Sequence, residues 1–137
     1  MGAWLAVRGQ FDSWVPILLG TAVGLWVAGF DLIYALQDRE FDQKQGLKSF
    51  PARFGEIPAL RMATGLHVLA ACFLGAFGRM AGFGWRYMIA WGVACGVLVL
   101  ESALAKVEGE RQKVFFWANA VVSLLVLGGV VWEIFSK

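Results

Sequence analysis

Phe30 to Gly55 reads FDLIYALQDREFDQKQGLKSFPARFG. The run starts inside an apolar segment and ends in a basic one. Asp31, Asp38 and Asp42 stand seven and four residues apart. On one helix, at roughly 100° per residue, they fall within about 20° of a single line, and Gln45 lies near it if the helix continues. Three carboxylates on one stripe repel each other unless a cation lies between them. They offer only oxygen, with no Cys or His beside them, so the cation they suit is hard. Mg²⁺ fits before Ca²⁺, and Zn²⁺ and Cu²⁺ do not fit. Arg39 lies inside the motif, and Lys44, Lys48 and Arg53 follow. Carboxylates followed by cations make a place for a metal-bound, multiply charged anion such as a diphosphate.

The plain alternative is a solvated helix end whose charges pair locally. It fails for Asp31, because the residues before it are almost wholly apolar. An ionisable group within such a segment costs roughly 2.5–3.5 kcal/mol at mid-membrane and usually faces a functional cavity.

DLIYALQDREFD followed by GLKSFPARFG resembles the second aspartate-rich motif and following loop of the UbiA family of intramembrane aromatic prenyltransferases. The similarity is to the 4-hydroxybenzoate polyprenyltransferase branch, where D-x-x-Y-A-x-Q-D-x-x-x-D leads into G-x-x-S-x-x-x-R-F-G.

Composition agrees with a membrane setting. Of 137 residues, 59% are hydrophobic and 16% charged, with a mean hydropathy of +0.66. A soluble domain of this size could not bury that much apolar surface. A net charge of only +2 argues against a nucleic-acid binder held by phosphate contacts. Cys72 and Cys95 lie in different apolar segments and read as buried structural thiols.

The pattern predicts four membrane-spanning helices, over residues 13–42, 58–77, 85–106 and 113–135, with a motif loop over 37–57. Pro16 stands in the first turn of the first helix, where a missing N–H is harmless. Residues 49–54 predict a short interfacial helix with Arg53 on one side and Phe50 and Phe54 on the other. The opening MGAWLAVRGQ lacks the charged region and long apolar run of a signal peptide. It reads as the tail of an earlier helix. Arg39, Lys44, Lys48, Arg53, Arg61, Lys106, Arg111 and Lys113 fall on one side; Arg8, Arg79, Arg86 and Lys137 fall on the other. The positive-inside rule then puts the aspartate end in the cytoplasm and both chain ends outside.

Several further residues carry two readings. Gly20 and Gly24 share the aspartate stripe, as a helix-packing contact or as room for a lipid chain. Tyr34 could stabilise an allylic cation with its ring face, orient an acceptor, or simply pack. Gln37 could hold the water shell of a metal. Asn119 could contact substrate or hydrogen-bond between helices. His67 reads as a helix–helix hydrogen bond rather than a base. Glu101 reads as snorkelling or paired with a basic residue. Trp14, Trp85 and Trp132 suit an outer interface belt, and Trp117 an inner one.

The resemblance implies an all-α integral membrane fold, with these helices as the C-terminal half of a nine-helix bundle. It implies Mg²⁺ held by Asp38 and Asp42. Asp31, about two turns deeper, could join the site or hydrogen-bond Tyr34 or a neighbouring helix. Lys48 and Arg53 are the best diphosphate contacts by their chemistry, a mobile point charge and a planar fork, or else serve as positive-inside anchors. The family often carries an Asn after paired aromatics near Asn119, where it could contact acceptor or diphosphate. The implied reaction moves a polyprenyl group from its diphosphate to an aromatic ring, 4-hydroxybenzoate above all, in ubiquinone biosynthesis at the inner membrane. Homogentisate, a naphthoate and haem are the acceptors of other branches. A first motif, N-D-x-x-D-x-x-x-D, is expected from an N-terminal half and has no counterpart here, so the chain alone is expected to be inactive. Two other classes stay open. One is a non-enzymatic four-helix membrane subunit that binds a prenyl diphosphate or divalent cation. The other is a cation-conducting oligomer with a ring of aspartates.

Overall fold

The computed structural model describes the backbone of residues 2–104 and 111–136, and side chains over 2–101 and 116–136. Seven helices follow in order: α1 Gly2–Arg8, α2 Val15–Ala35, α3 Arg39–Lys44, α4 Phe50–Phe54, α5 Glu56–Met80, α6 Trp85–Leu104 and α7 Arg111–Phe135. No strand occurs among the described residues. Among them, Val15–Ala35, Glu56–Met80 and Phe116–Phe135 are long and apolar enough to cross a membrane. The third expected helix ends at Lys106, which lies outside the described residues.

The long helices pack as two antiparallel pairs, α2 on α5 and α6 on α7, joined by a sparser α5–α6 contact. Small residues set the first pair. Ile33 and Ala63 form its core with Phe30, Leu32 and Leu60 around them. A Cβ on Gly29 would come 2.6 Å from the His67 ring and 3.1 Å from the Ala63 carbonyl, so the helices meet there because that side chain is missing. Ala94, Leu98 and Val122 make the second core, reached from α2 by Trp26.

The α5–α6 contact is polar at its tips. Tyr87 Oη donates to the Leu74 carbonyl at 2.9 Å, and Trp91 Nε1 donates to the Ala71 carbonyl at 2.9 Å. Each aromatic ring buries its body and pairs its one polar atom. Gly78 lies against the Tyr87 ring. That contact explains why α5 runs on to Met80, although the glycine alone predicts an end near residue 77. Phe77, Phe83 and Tyr87 complete an aromatic cluster, with centroids 5.2–6.0 Å apart. Trp85 and Trp132 meet edge to face at 5.8 Å.

The first helix differs from its expectation. It stops at Ala35 instead of running to residue 42. The amides of Leu36 and Gln37 bond back three residues, to Ile33 and Tyr34, and Arg39 bonds to Leu36. This tighter winding breaks the α-helical phase. The three aspartates therefore do not share one stripe of one helix. Gly46, at φ +70°, ends α3 in a Schellman motif: Leu47 N–H bonds to the Asp42 carbonyl at 2.8 Å and Gly46 N–H to Gln43 at 3.3 Å. The expected interfacial helix is present as α4, with the Ser49 hydroxyl accepting from Ala52 N–H at 3.4 Å.

Candidate functional site

The site is built where α2 ends and the connector begins. Asp31 is exposed in the last three turns of α2. At roughly 100° per residue, Gly20, Gly24 and Asp31 lie about 140–180° from Ala22, Gly29 and Ile33, which are buried. The aspartate face thus points away from α5. Gly24 has nothing within 4 Å of a Cβ position, so the helix-packing reading of this glycine is not realised by the described helices. Gly20 borders an apolar cavity of about 760 Å³ at the far end, between α1, α2 and α5.

Asp38 is exposed as the first residue of α3's entry, and Asp42 is half-buried one turn on. Their backbones are joined by Asp42 N–H to the Asp38 carbonyl at 2.8 Å, while the Asp38 side chain leaves the helix end uncapped. The two carboxylates stand four residues apart across one helical turn, the spacing at which side chains are neighbours. Both are free to serve a ligand.

Lys48 and Arg53 are exposed and border one open cleft of about 480 Å³ with Gln43, Gly46, Leu47 and Ala52. Gln43 Nε2 donates to the Ala52 carbonyl at 3.1 Å, tying α3 to α4 across this cleft. The Arg53 guanidinium lies 5.2 Å from the Phe54 ring. An Arg fork and a Lys point charge on one cleft suit a phosphate group.

Among the described residues no three His, Cys, Asp or Glu side chains converge as a metal-holding group. The donor set present is two neighbouring carboxylates with basic side chains on the same connector. That set fits Mg²⁺ carried with a diphosphate, because Mg²⁺ keeps its waters and typically takes one or two carboxylates plus substrate phosphates. It does not fit a dedicated protein cage.

The remaining residues sort by position. Tyr34 is half-buried and meets Phe30 edge to face at 4.5 Å. Gln37 is exposed at the α2 break. Asn119 is half-buried on α7, which packs chiefly on α6. His67 is 2% exposed. Its ring fills the space left by Gly29 on α2 and faces the Trp26 backbone there, in keeping with a helix–helix contact rather than a base. Glu101 does not snorkel: it is 1% exposed and neither carboxylate oxygen is paired among the described residues. The basic candidates Lys106, Arg111 and Lys113 lie outside the described side chains. Cys72 is exposed rather than buried, and both thiols are free. Glu133 is the buried acid that sequence reasoning missed; its carboxylate lies over Gly84 at the start of α6, a favourable end of the helix dipole.

At the far end Asp12 accepts from Arg8 Nη2 at 2.6 Å and from Trp4 Nε1 at 3.1 Å. The Arg8 guanidinium holds the Asp12 carboxyl below its usual range.

A profile described as the UbiA prenyltransferase family matches residues 1–125. Among curated proteins, the chain is 32% identical over 129 residues to a mitochondrial 4-hydroxybenzoate polyprenyltransferase of Arabidopsis thaliana, covering 93% of this chain and 31% of the relative. It is 33% identical over 121 residues to a 4-hydroxybenzoate octaprenyltransferase of Colwellia psychrerythraea, covering 87% and 42%. It is 33% identical over 108 residues to the octaprenyltransferase of the same description from Klebsiella pneumoniae, covering 77% and 37%. The chain thus spans less than half the length of these relatives. No solved structure matches it. Its apolar helices and this likeness make it a multi-pass membrane protein.

Proposed function

The chain belongs to the UbiA prenyltransferase family, and from that premise we propose that it forms the diphosphate-binding half of a 4-hydroxybenzoate polyprenyltransferase. α6 is a fourth span, and the bundle sits in the inner membrane with the aspartate end in the cytoplasm. An N-terminal half carrying the other aspartate-rich motif covers the exposed face of α2.

The observation that carries this reading is the position of Asp31, Asp38 and Asp42. They stand at the connector end of the α2–α5 pair, Asp31 and Asp38 exposed and Asp42 half-buried, and the same connector carries the open cleft bordered by Lys48 and Arg53. Asp38 and Asp42 would hold Mg²⁺, with Asp31 set deeper on α2. When bound, the metal supplies positive charge to the diphosphate oxygens of the donor. Lys48 and Arg53 bind the same diphosphate and take up the charge that grows as the allylic C–O bond breaks. Tyr34 presents its ring edge and face near that bond and stabilises the cation. The apolar α2 face excludes water that would quench it. Gly24 and Gly20 on that face leave a path for the polyprenyl chain toward the far-end cavity. The electron-rich ring of 4-hydroxybenzoate attacks the cation beside its hydroxyl and releases the proton of that carbon as the ring regains aromaticity, the diphosphate being the leaving group, with Asn119 placed on α7 to meet acceptor. The pathway served is ubiquinone biosynthesis.

Co-expression tests the proposal. Membranes holding this chain alone should lack prenyl transfer, and adding the N-terminal half should restore Mg²⁺-dependent product from 4-hydroxybenzoate and a polyprenyl diphosphate. Robust turnover by the chain alone, or none with both halves assembled, overturns it.

A further inference from the structure

The connector between α2 and α5 is closed on itself by a residue that the proposed mechanism does not use. Gln43 follows Asp42 in α3 and borders the cleft of Lys48 and Arg53. Its Nε2 donates to the Ala52 carbonyl at 3.1 Å, nine residues along the chain. Inside that loop Leu47 N–H bonds to the Asp42 carbonyl at 2.8 Å, and the Ser49 hydroxyl caps α4. The backbone around Asp42 and the backbone that carries Arg53 are thus tied into one unit. Among the described residues this is the one side-chain hydrogen bond between α3 and α4.

The cleft needs such a tie. Lys48 and Arg53 are both exposed, and like charges on one short loop repel. Among the described residues no carboxylate borders the cleft to hold them together. Gln43 does so without charge, reaching from the helix of the aspartates to the helix of Arg53. Resting on the reading of this cleft as a diphosphate site, we propose that Gln43 is a positioning residue. It fixes the Lys48–Arg53 cleft relative to Asp42 before the donor binds. Without it the diphosphate must order the connector itself, and that ordering weakens binding. The loss falls on binding and not on the chemical step.

Hydrogen–deuterium exchange of the full chain in nanodiscs tests this, with Mg²⁺ and inorganic pyrophosphate as the probe. Wild type is compared with Gln43→Met, which keeps a long neutral side chain and removes the donor. Pyrophosphate should slow exchange over residues 39–54 in both proteins. Gln43→Met should need about three- to tenfold more of it for half protection, the range one hydrogen bond carries. Amides of α2 and α5 should stay protected as in wild type. If that variant unfolds, Gln43→Ala gives the same readout with the same shift expected. In the assembled enzyme, KM for the polyprenyl diphosphate should rise by a similar factor. KM for 4-hydroxybenzoate should be unchanged, and kcat should change by less than about twofold. Equal half-protection concentrations in wild type and folded variants overturn the role of Gln43 and leave the diphosphate reading standing. So does a fall in kcat with both KM values unchanged. No protection of wild type at any pyrophosphate concentration overturns the diphosphate reading, and this inference with it.

Discussion

The two ends of the bundle are built differently. At the far end, aromatic side chains are clamped: Tyr87 on Leu74, Trp85 on Trp132, Gly78 under the Tyr87 ring. At the aspartate end, Asp31, Asp38, Lys48 and Arg53 are exposed, and one side-chain hydrogen bond, Gln43 to Ala52, ties α3 to α4 among the described residues. Aromatic contacts and their hydrogen bonds gather where no chemistry is expected. Charge stands bare where a charged ligand is expected. The contrast teaches which residues should change stability and which should change turnover.

The largest effect should come from the bare end. Lys48→Ala/Arg53→Ala in the assembled enzyme should lower kcat by about 10²–10³-fold, because in the proposed mechanism both groups meet charge that develops in the transition state. Steady-state kinetics checks this, with KM rising less than kcat falls. Thermal unfolding of the same variant should match wild type. A loss of stability with unchanged turnover would erase the contrast between the ends.

The clamped end should behave in reverse. Gly78→Ala drives a methyl into the Tyr87 ring and should cost about 1–3 kcal/mol, read by unfolding in detergent. Gly24→Ala, with open space at its Cβ, should be neutral or stabilise by up to about 1 kcal/mol. Equal effects at the two glycines would show that Gly78 makes no tighter contact than Gly24. A smaller change is expected from Tyr87→Phe, which removes the bond to Leu74 and should cost about 0.5–1.5 kcal/mol. Interhelical hydrogen bonds within membranes lie toward the low side of that range.

Sequence reasoning reached the helical, membrane-embedded architecture and the acidic-then-basic connector, because hydropathy and residue type carry both. It missed the break at Leu36–Asp38. No Gly or Pro stands there, and the tighter turn arises where the backbone leaves its apolar helix. It ended α5 near Gly78, since glycine is a common stop signal; the Tyr87 ring that needs this glycine is nine residues further on. Cys72 as a buried thiol and Glu101 as a snorkelling acid were misplaced for a related reason. Burial within a bundle depends on which face each neighbour covers, and composition does not state that. Gly46 was legible in principle: Lys44–Gln45–Gly46 is a helix end followed by a left-handed residue, and that is how α3 stops.

One measurement bears most directly on the diphosphate site. Membranes carrying both halves are given radiolabelled 4-hydroxybenzoate and a polyprenyl diphosphate across a Mg²⁺ titration. The wild-type chain should give Mg²⁺-dependent prenylated product, and Asp38→Asn/Asp42→Asn should give none at any Mg²⁺ concentration. Product formed by the double variant at the wild-type rate, with the same Mg²⁺ dependence, would contradict the assignment of these two carboxylates.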